Sequence, residues 1–535
     1  MEFDYVIVGG GSAGAVLAAR LSENGQNSVC LLEAGGKGDS IFVRLPAAIA
    51  LGVRGTLNNW NYETVPQKGL NGRTPFQPRG KALGGSSAIN AMIYMRGHHK
   101  DYDEWASLGA TGWSFDDVLP YFKKSESHEL GETDLHGGEG PLQVCTQKHA
   151  QPISLRFIEA ANQCQIRTNN DFNGEIQEGA GLFHLTRHFE GKHKGERCSS
   201  AAAYLRSIKA RSNLEILTNA PASKILFDDH KATGVKFRHG DTEKTVKARR
   251  EVILSSGAFG SPQLLMLSGI GDPNKLSPMG IPVLAEAPEV GTNLQDHLDI
   301  ILPAKSSSAY TPFLPLPGPI STIRALVDWI KRRDGLFATP GTEAGAFFFS
   351  KPELDRPDFQ LHFGLMRVED HVRKLHFGHT YCTHMCLLRP KSRGEVTLSS
   401  PDAMAPPLID PRYLDHEDDL ADMIAGAKKT RAIMQAPALK EAQKEEIDTH
   451  EGMTDSDWAA YIRAKADTIY HPVGTCRMGS DEGAVVDPQL RVRGVDNLRV
   501  VDASIMPRLI GGNTNAPTMM IGEKAADMIL GRASA

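Results

Sequence analysis

The sequence predicts an α/β dinucleotide-binding (Rossmann-like) domain that is discontinuous in the chain, together with an α+β domain built on an antiparallel sheet. Three observations predict this fold class. Residues 3–34 follow a strand, glycine turn, helix, strand pattern; residues between about 306 and 465 alternate apolar and polar side chains; and the chain after about 466 becomes glycine-rich again. A length of 535 residues also exceeds what one compact core normally needs.

The first element is a predicted βαβ unit with strands at 3–8 and 29–33 and a helix at 15–23. Gly9, Gly11 and Gly14 match G-x-G-x-x-G, with Ser12 and Ala13 inside the turn. The first glycine permits the tight turn, the second lets the backbone approach a pyrophosphate, and the third lets the helix pack closely on the strand. The helix N-terminus then faces the phosphates.

Glu33 ends the second strand, 19 residues after Gly14 (33 − 14), and Ala34 follows it. A carboxylate at this position accepts hydrogen bonds from ribose hydroxyls and repels a 2′-phosphate, so the pattern argues against NADP at this site. The motif alone does not separate NAD from FAD.

Further short apolar strands at 214–217, 222–227, 234–237 and 250–255 predict a meander that returns to the parallel sheet. Strand 358–363 alternates apolar and polar side chains, and a helix follows at 418–435, which predicts a separate sheet with helices on one face. We therefore assign residues 1–155, 195–305 and 466–535 to the nucleotide-binding domain, and residues 156–194 and 306–465 to a substrate domain.

The composition indicates where the protein works. Its 59 basic and 64 acidic residues give a net charge of −5, which argues against nucleic acid as a partner. Seven scattered cysteines indicate a reducing compartment, and the first apolar run is already a predicted strand, so we expect no signal peptide. The prediction is a cytoplasmic protein, with peripheral contact with the inner membrane face as an extension.

Five segments carry a resemblance to a known family. They are residues 80–90 (GKALGGSSAIN), 257–271 (GAFGSPQLLMLSGIG), 290–297 (VGTNLQDH), 471–479 (HPVGTCRMG) and 512–518 (GNTNAPT). This set resembles the glucose-methanol-choline (GMC) oxidoreductases and covers the whole chain. The resemblance implies FAD as the cofactor and a substrate domain that caps it.

The resemblance also implies which residues meet FAD. Beyond the first glycine turn these are Gly84, Gly85, Ser86, Asn90, Ala91, Ala222, Asp502, Ala503 and Thr518. Some family members attach the flavin covalently through a histidine just before the residue that matches Asn90. This chain has Ile89 there, so we predict non-covalent FAD.

His471 matches the catalytic histidine of the family, and Asn515 matches its second catalytic position. His471 would take the hydroxyl proton of an alcohol while hydride passes to flavin N5, and Asn515 would bond the alcohol oxygen. An isolated histidine is more often a packed or capping residue, and Asn515 also suits the start of a predicted helix. For Asn515 both roles can coexist.

Within the family the motifs are most similar to bacterial alcohol dehydrogenases of the alkane-degradation or polyethylene-glycol type. That similarity implies oxidation of primary alcohols to aldehydes, with electrons passed to a quinone or another carrier. The alternatives are an alcohol oxidase that uses molecular oxygen on aromatic or furanic alcohols, a non-redox lyase on the same fold, and a flavin-binding protein without turnover.

Three other groups of residues carry predictions of their own. Cys382, His384 and Cys386 alternate on a predicted strand, where one flat face cannot surround a metal, so we expect no metal site and place them on the floor of the substrate cavity. His184, His188 and His193 are predicted to lie in a solvated loop. Prolines exclude helix and strand from the apolar tract 310–319, which is predicted to be a packed loop, a lid or a membrane contact.

Overall fold

The computed structural model describes residues 1–148, 150–316, 318–333 and 335–532. In chain order the strands are β1 (Glu2–Val8), β2 (Val29–Leu32), β3 (Tyr62–Glu63), β4 (Phe76–Gln77), β5 (Glu126–His128), β6 (Leu142–Val144), β7 (Gly179–Leu182), β8 (Leu214–Leu217), β9 (Ala222–Asp228), β10 (Lys231–His239), β11 (Thr242–Leu254), β12 (Ile270–Gly271), β13 (Ala285–Glu286), β14 (Leu298–Ser306), β15 (Phe313–Leu314), β16 (Thr342–Phe348), β17 (Phe359–Gly364), β18 (Gly378–Leu387), β19 (Glu395–Thr397), β20 (Leu408–Asp410), β21 (Gln443–Glu446), β22 (Asp467–Thr468) and β23 (Leu498–Val500).

The α-helices are α1 (Ser12–Leu21), α2 (Ile41–Arg44), α3 (Ile49–Val53), α4 (His99–Ser107), α5 (Phe115–Ser125), α6 (Pro152–Gln163), α7 (Gly257–Leu267), α8 (Pro273–Leu276), α9 (Gly318–Arg332), α10 (Glu417–Gln435), α11 (Pro437–Lys440), α12 (Asp455–Lys465) and α13 (Asn515–Leu530). Among the residues that the structure describes, no helix combines the length and the hydropathy that a bilayer crossing requires.

The first sheet has the order β8-β2-β1-β11-β10-β9, with β23 beside β11. Strands β8, β2, β1, β11 and β23 run parallel, and β9 and β10 form an antiparallel meander. Val6, Ile7 and Leu31 are fully buried, as the near-continuous apolar runs of a covered parallel sheet require. Because strands from residues 2 to 500 join this sheet, the nucleotide-binding fold is assembled from separate chain segments.

Helices α1 and α13 lie side by side against this sheet. Gly522 makes their close approach possible, because a Cβ there would lie 3.0 Å from the Val16 Cβ. The hydroxyl of Ser12 donates to Asn515 Oδ1 over 2.7 Å, so the first residues of both helices meet. The N-termini of two helices from opposite ends of the chain therefore lie next to each other.

The second sheet has the order β21-β14-β18-β17-β16-β7, with β15 on β18 and β22 on β14. All of these pairs are antiparallel. Helices α6, α10 and α12 pack on one face through an apolar core that includes Phe157, Met385 and Ile433. After β7, the chain re-enters this sheet at Leu298, before the predicted limit of 306, because it runs straight from the Asp296–His297 segment into β14. The domain limits themselves stay a prediction.

Two local predictions are wrong. His184 and His188 are buried rather than solvated, because His184 packs against His128 and Asp171 in a polar cluster beneath the surface. Within the tract 310–319, Phe313 and Leu314 form a short strand against Gly378 and His379, since neither residue is a proline and both keep their N–H groups. Pro317 of that tract lies outside the described residues.

Candidate active site

One cavity of about 1130 Å³ lies between the two sheets. Sites for a single small molecule usually measure about 300–1,000 Å³, so this volume suits a dinucleotide and a second molecule. Most residues predicted for cofactor and catalysis line it, namely Gly9, Gly11, Ser12, Ala13, Glu33, Ala34, Gly85, Ser86, Asn90, Ala91, Ala222, His471, Asp502, Ala503, Asn515 and Thr518. Gly14 and Gly84 do not line it.

The glycine turn has the shape that a bound pyrophosphate requires. A Cβ on Gly14 would overlap the Gly9 carbonyl oxygen, so this glycine serves the packing of α1 on β1. A Cβ on Gly11 would meet nothing nearer than 3.9 Å and would stand in the cavity. Neither α1 nor α13 has a side-chain N-cap, so the first N–H groups of both helices face the cavity without a capping partner.

Glu33 is buried, and its two carboxylate oxygens accept the N–H groups of Gly10 at 2.8 Å and Gly35 at 2.7 Å. Burial raises the pKa of this carboxyl, and the two backbone bonds oppose that rise. Each oxygen retains a second lone pair toward the cavity, which a ribose hydroxyl can use. Glu33 therefore braces the glycine turn as well as offering the acceptor that the sequence predicts.

Three more of the predicted cofactor residues, Asn90, Asp502 and Gly84, are held by hydrogen bonds to neighbouring segments. Asn90 Oδ1 accepts from the Met92 N–H at 3.0 Å, and Arg197 Nη1 donates to the same oxygen at 2.8 Å. Asp502 Oδ1 accepts from the Ser504 N–H at 2.8 Å. Gly84 has a φ of +96°, which favours glycine, and its N–H donates to the Gly10 carbonyl. This bond ties the 80–90 segment to the first glycine turn, which is why Gly84 matters without lining the cavity.

His471 lies in the cavity wall with both ring nitrogens engaged. Its Nδ1 is 2.9 Å from His297 Nδ1, and its Nε2 is 3.1 Å from Asn513 Nδ2. Burial lowers the pKa of His471 well below its ordinary value, and His297, His362 and Arg79 lower it further. The ring is therefore neutral at neutral pH. Because an amide N–H can only donate, Nε2 is the acceptor and the single ring proton belongs on Nδ1.

The segment Asp296–His297 holds His471 through its backbone N–H and its ring Nδ1. Asp296 Oδ1 accepts the His471 backbone N–H at 2.9 Å, and its Oδ2 accepts the hydroxyls of Tyr413 and Thr468. His297 is fully buried, and burial lowers its pKa to about 3. Both residues stand in the 290–297 motif, but the sequence alone does not indicate that they hold His471.

The amide beside His471 belongs to Asn513, whereas the sequence predicted Asn515. Asn513 Oδ1 accepts from Gln360 Nε2 at 3.0 Å, which turns the amide nitrogen toward His471. Asn515 is the first residue of α13, and its Oδ1 accepts the Ser12 hydroxyl. Both asparagines stand in the 512–518 motif, and the start of α13 two residues after Asn513 turns them to different parts of the cavity.

The predicted floor of the cavity is only partly formed by the residues proposed for it. His384 lines the cavity, but Cys382 and Cys386 are buried within the sheet and do not. All seven cysteines are free thiols. A different cluster, Glu126, His128 and His136, has the spacing of a metal site. There, however, His136 directs both ring nitrogens at Glu126 and Asp171, and Arg96 pairs with Glu126, so the charges are already matched.

Comparison with known proteins agrees with this site. The family models described as GMC oxidoreductase match residues 3–299 and 390–522. The chain is 47% identical to an alcohol dehydrogenase [acceptor] of Pseudomonas putida, over 99% of this chain and 96% of that protein. It is 42% identical to the mitochondrial choline dehydrogenase of Homo sapiens, over 99% and 90%.

Solved structures extend the likeness to the whole fold. Pyridoxine 4-oxidase from Mesorbium loti superimposes with a TM-score of 0.87 at 32% identity, covering 98% of each chain. Formate oxidase of Aspergillus oryzae RIB40 superimposes with a TM-score of 0.91 at 28% identity, covering 99% of this chain and 98% of that one. The chain therefore belongs to the GMC oxidoreductase family.

Proposed function

We propose that this protein oxidises primary alcohols to aldehydes and passes the electrons to a quinone or another carrier. The observation that carries the proposal is the neutral His471 with Nε2 at the cavity, next to the Asn513 amide. FAD, the cofactor of GMC oxidoreductases, accepts the hydride when it is bound. The likeness to the alcohol dehydrogenase [acceptor] supports this reaction.

The chain's own residues handle the proton. A hydroxyl that replaces the direct His471–Asn513 hydrogen bond donates to Nε2 and accepts from the Asn513 Nδ2–H. As Nε2 takes the proton, charge develops on the ring, and the Nδ1–H that faces His297 keeps the ring oriented. Asn513 cannot titrate, so it holds the alcohol oxygen without competing for its proton.

The lining of the cavity favours an uncharged alcohol over choline. Among the described residues, the carboxylates in this lining are Glu33 and Asp502, and both are committed to backbone N–H groups. A quaternary ammonium group is usually held by a cage of aromatic rings or a nearby carboxylate. Besides aromatic residues such as Phe337 and Tyr470, the lining carries many aliphatic side chains, among them Leu336, Leu365, Met366, Val368 and Ile469.

The decisive experiment is anaerobic mixing of the FAD-loaded protein with 1-alkanols and, separately, with choline. Bleaching of the flavin absorbance by 1-alkanols supports the proposal, and bleaching by choline alone contradicts the substrate class. A flavin that no alcohol reduces favours the lyase or the non-catalytic alternative. Hydrogen peroxide formed at the rate of turnover in air favours the oxidase alternative, on aromatic or furanic alcohols, over a dehydrogenase.

The matched control is His471→Ala, for which turnover falls by about 10²–10⁴ while FAD stays bound. Unchanged turnover contradicts the role of His471. Acid precipitation of the same preparations tests non-covalent FAD. Ile89 is a buried aliphatic residue and offers no nucleophile, so all flavin is expected in the supernatant.

We also propose peripheral contact with the inner face of the cytoplasmic membrane through α9. Its outer face exposes Ile320 (83% exposed), Ile323 (60%), Val327 and Ile330, spaced as one stripe of a helix. Exposed Arg324, Lys331 and Arg332 on the same helix suit anionic lipids. The inner face carries Leu326 in the cavity lining and buried Trp329, so the contact would bring the cavity to the lipid surface.

Sedimentation with phosphatidylglycerol vesicles tests this contact. The wild type is expected to sediment with the vesicles, and the double variant Ile320→Ser/Ile323→Ser is expected to stay in solution with its activity intact. The control is Leu130→Ser, which removes an equally exposed apolar side chain elsewhere. Equal sedimentation of all three proteins would contradict membrane contact through α9.

A further inference from the structure

Arg197 is a buried guanidinium that has no carboxylate partner among the residues that the structure describes. The residue is 2% exposed, and its hydrogen bonds go to neutral oxygens, namely the carbonyls of Val43, Ser87 and Asn90 and the side-chain Oδ1 of Asn90. Burial lowers its pKa to about 9, so the group is still charged at neutral pH.

Two other arginines have the counter-charge that Arg197 lacks. Arg96 is equally buried and donates to Glu126 Oε2 at 2.6 Å. Arg79 stands in the cavity wall, where burial lowers its pKa to about 10 and Asp296 opposes the fall. Because a buried charge is costly unless it is paired, Arg197 points to a negative charge that the polypeptide itself does not supply.

Asn90 connects this guanidinium to the cavity. Its Oδ1 accepts from Arg197 Nη1 at 2.8 Å and from the Met92 N–H at 3.0 Å, so both lone pairs of the oxygen are used. Asn90 lines the cavity, and the part of its amide that remains for a ligand is the Nδ2 group, a donor. The bond from Arg197 polarises the amide and strengthens this donor.

The segment that begins at Asn90 leads to the part of the cavity where hydride transfer is proposed. Met92 has a φ of +60°, in the left-handed region, and its bond to Asn90 Oδ1 holds this turn. Ile93 then packs in one apolar cluster with Ile469, two residues before His471, and all three line the cavity. A flavin ring that takes a hydride beside His471 therefore lies along the wall that Asn90 begins.

We propose that Arg197, acting through Asn90, stabilises the negative charge of the reduced flavin and so raises the reduction potential of bound FAD. A hydride brings two electrons and one proton to an uncharged ring, so reduction adds one negative charge to that ring. Arg197 is thus a positioning residue whose charge favours one redox state of the cofactor. The position of the ring rests on the proposed function, whereas the tests of this role need no alcohol.

The midpoint potential of bound FAD tests the role directly. The FAD-loaded wild type and Arg197→Met are reduced without oxygen by xanthine and xanthine oxidase, beside a reference dye. In Arg197→Met the equilibrium is expected to shift by about 10-fold toward oxidised FAD, a fall of about 30 mV for a two-electron couple. Arg197→Lys keeps the charge and is expected to recover at least half of that fall. A wild-type potential in Arg197→Met overturns the proposal.

Sulfite gives a second measurement on the same preparations, because its adduct with the flavin ring also carries a negative charge. The dissociation constant of sulfite is expected to rise by about 10-fold in Arg197→Met. The matched control is Arg211→Met, which removes a cation that bonds the Ala19 carbonyl and the Ser22 hydroxyl near the end of α1 and does not line the cavity. This control is expected to keep the wild-type potential and the wild-type sulfite affinity.

Titration with oxidised FAD separates a charge on the ring from one on the pyrophosphate. The pyrophosphate is charged in both redox states, so losing its counter-charge weakens both forms of FAD alike and leaves the potential unchanged. Weaker binding of FAD with an unchanged potential therefore overturns the proposal. Asn90→Ala removes the donor that faces the cavity, and its potential is expected to fall as well. This variant decides the question if Arg197→Met does not fold, since an unchanged potential in Asn90→Ala also overturns the proposal.

Discussion

The Nδ1 atoms of His471 and His297 lie 2.9 Å apart, and their rings are nearly perpendicular, at 89°. The contact fixes the tautomer of the histidine that is proposed to act as the base. With its proton on Nδ1, His471 keeps Nε2 as an acceptor, which here takes the Asn513 N–H and which a substrate hydroxyl can use in its place. His297 is buried and neutral, so it can accept the hydrogen bond from the His471 Nδ1–H at every pH at which the enzyme is expected to work.

This contact predicts a specific pH dependence. Because the pKa of His471 is held well below its ordinary value, kcat/KM is expected to be flat across neutral pH and to fall only in acid, where Nε2 becomes protonated. His297→Phe removes the acceptor that orients the ring, so the plateau is expected to drop by about 10- to 100-fold, as for other orienting partners. An unchanged plateau in His297→Phe contradicts this orienting role.

The two asparagines of the 512–518 motif make separable predictions. Asn513→Ala removes the donor beside His471, so kcat is expected to fall by about 10²-fold or more with FAD still bound. Asn515→Ala removes the acceptor of the Ser12 hydroxyl, so FAD affinity falls with little change in kcat of the loaded enzyme. Steady-state kinetics at saturating FAD, together with flavin titration, distinguish them. A large fall in kcat for Asn515→Ala, with only FAD affinity changed in Asn513→Ala, would instead support the catalytic role for Asn515.

Gly11 and Gly14 form a matched pair for the cofactor site. A side chain on Gly11 enters open cavity, so Gly11→Val is expected to fold normally but to bind FAD at least about 10-fold more weakly. A methyl on Gly14 overlaps the Gly9 carbonyl, so Gly14→Ala is expected to lower the melting temperature of the protein itself. Thermal unfolding without FAD, with flavin titration, checks both. Normal FAD binding by Gly11→Val would mean that the pyrophosphate does not bind against Gly11.

The buried cluster around His136 predicts a pH-dependent stability. Burial lowers the pKa of His136, but Asp171 and Glu126 overcome this and raise it to about 9, above the value of about 6.5 in an unfolded chain. The stabilising contribution of the charged ring is therefore complete below pH 6.5 and is lost as the pH rises through 9.

His136→Gln measures that contribution. The variant is expected to lose about 2 kcal/mol or more of unfolding free energy at pH 6, because two charge-assisted hydrogen bonds disappear. The difference from the wild type should shrink by pH 9.5. Denaturant unfolding at several pH values, with equal FAD loading, gives the comparison. A difference that grows with pH would mean that the ring is neutral in the folded protein.

The amino-acid sequence alone determined the nucleotide-binding fold, and it predicted most of the residues for the cofactor that line the cavity. The glycine turn, Glu33 and the helix that follows are close in sequence, and the constraints on their backbone can be read residue by residue. The long motifs extended this to the family and to His471. These features could be predicted because each depends either on residues close in sequence or on a motif that recurs in a family.

Only the tertiary structure decided which side chains meet His471. His297, Asn513 and Gln360 come from separate segments, and the strand registers and the start of α13 set their distances. The same holds for His362 and His384, which become neighbours only because β17 and β18 pair in one register. A shift of that register by one residue would turn either histidine to the opposite face, and no pattern within either segment specifies their pairing.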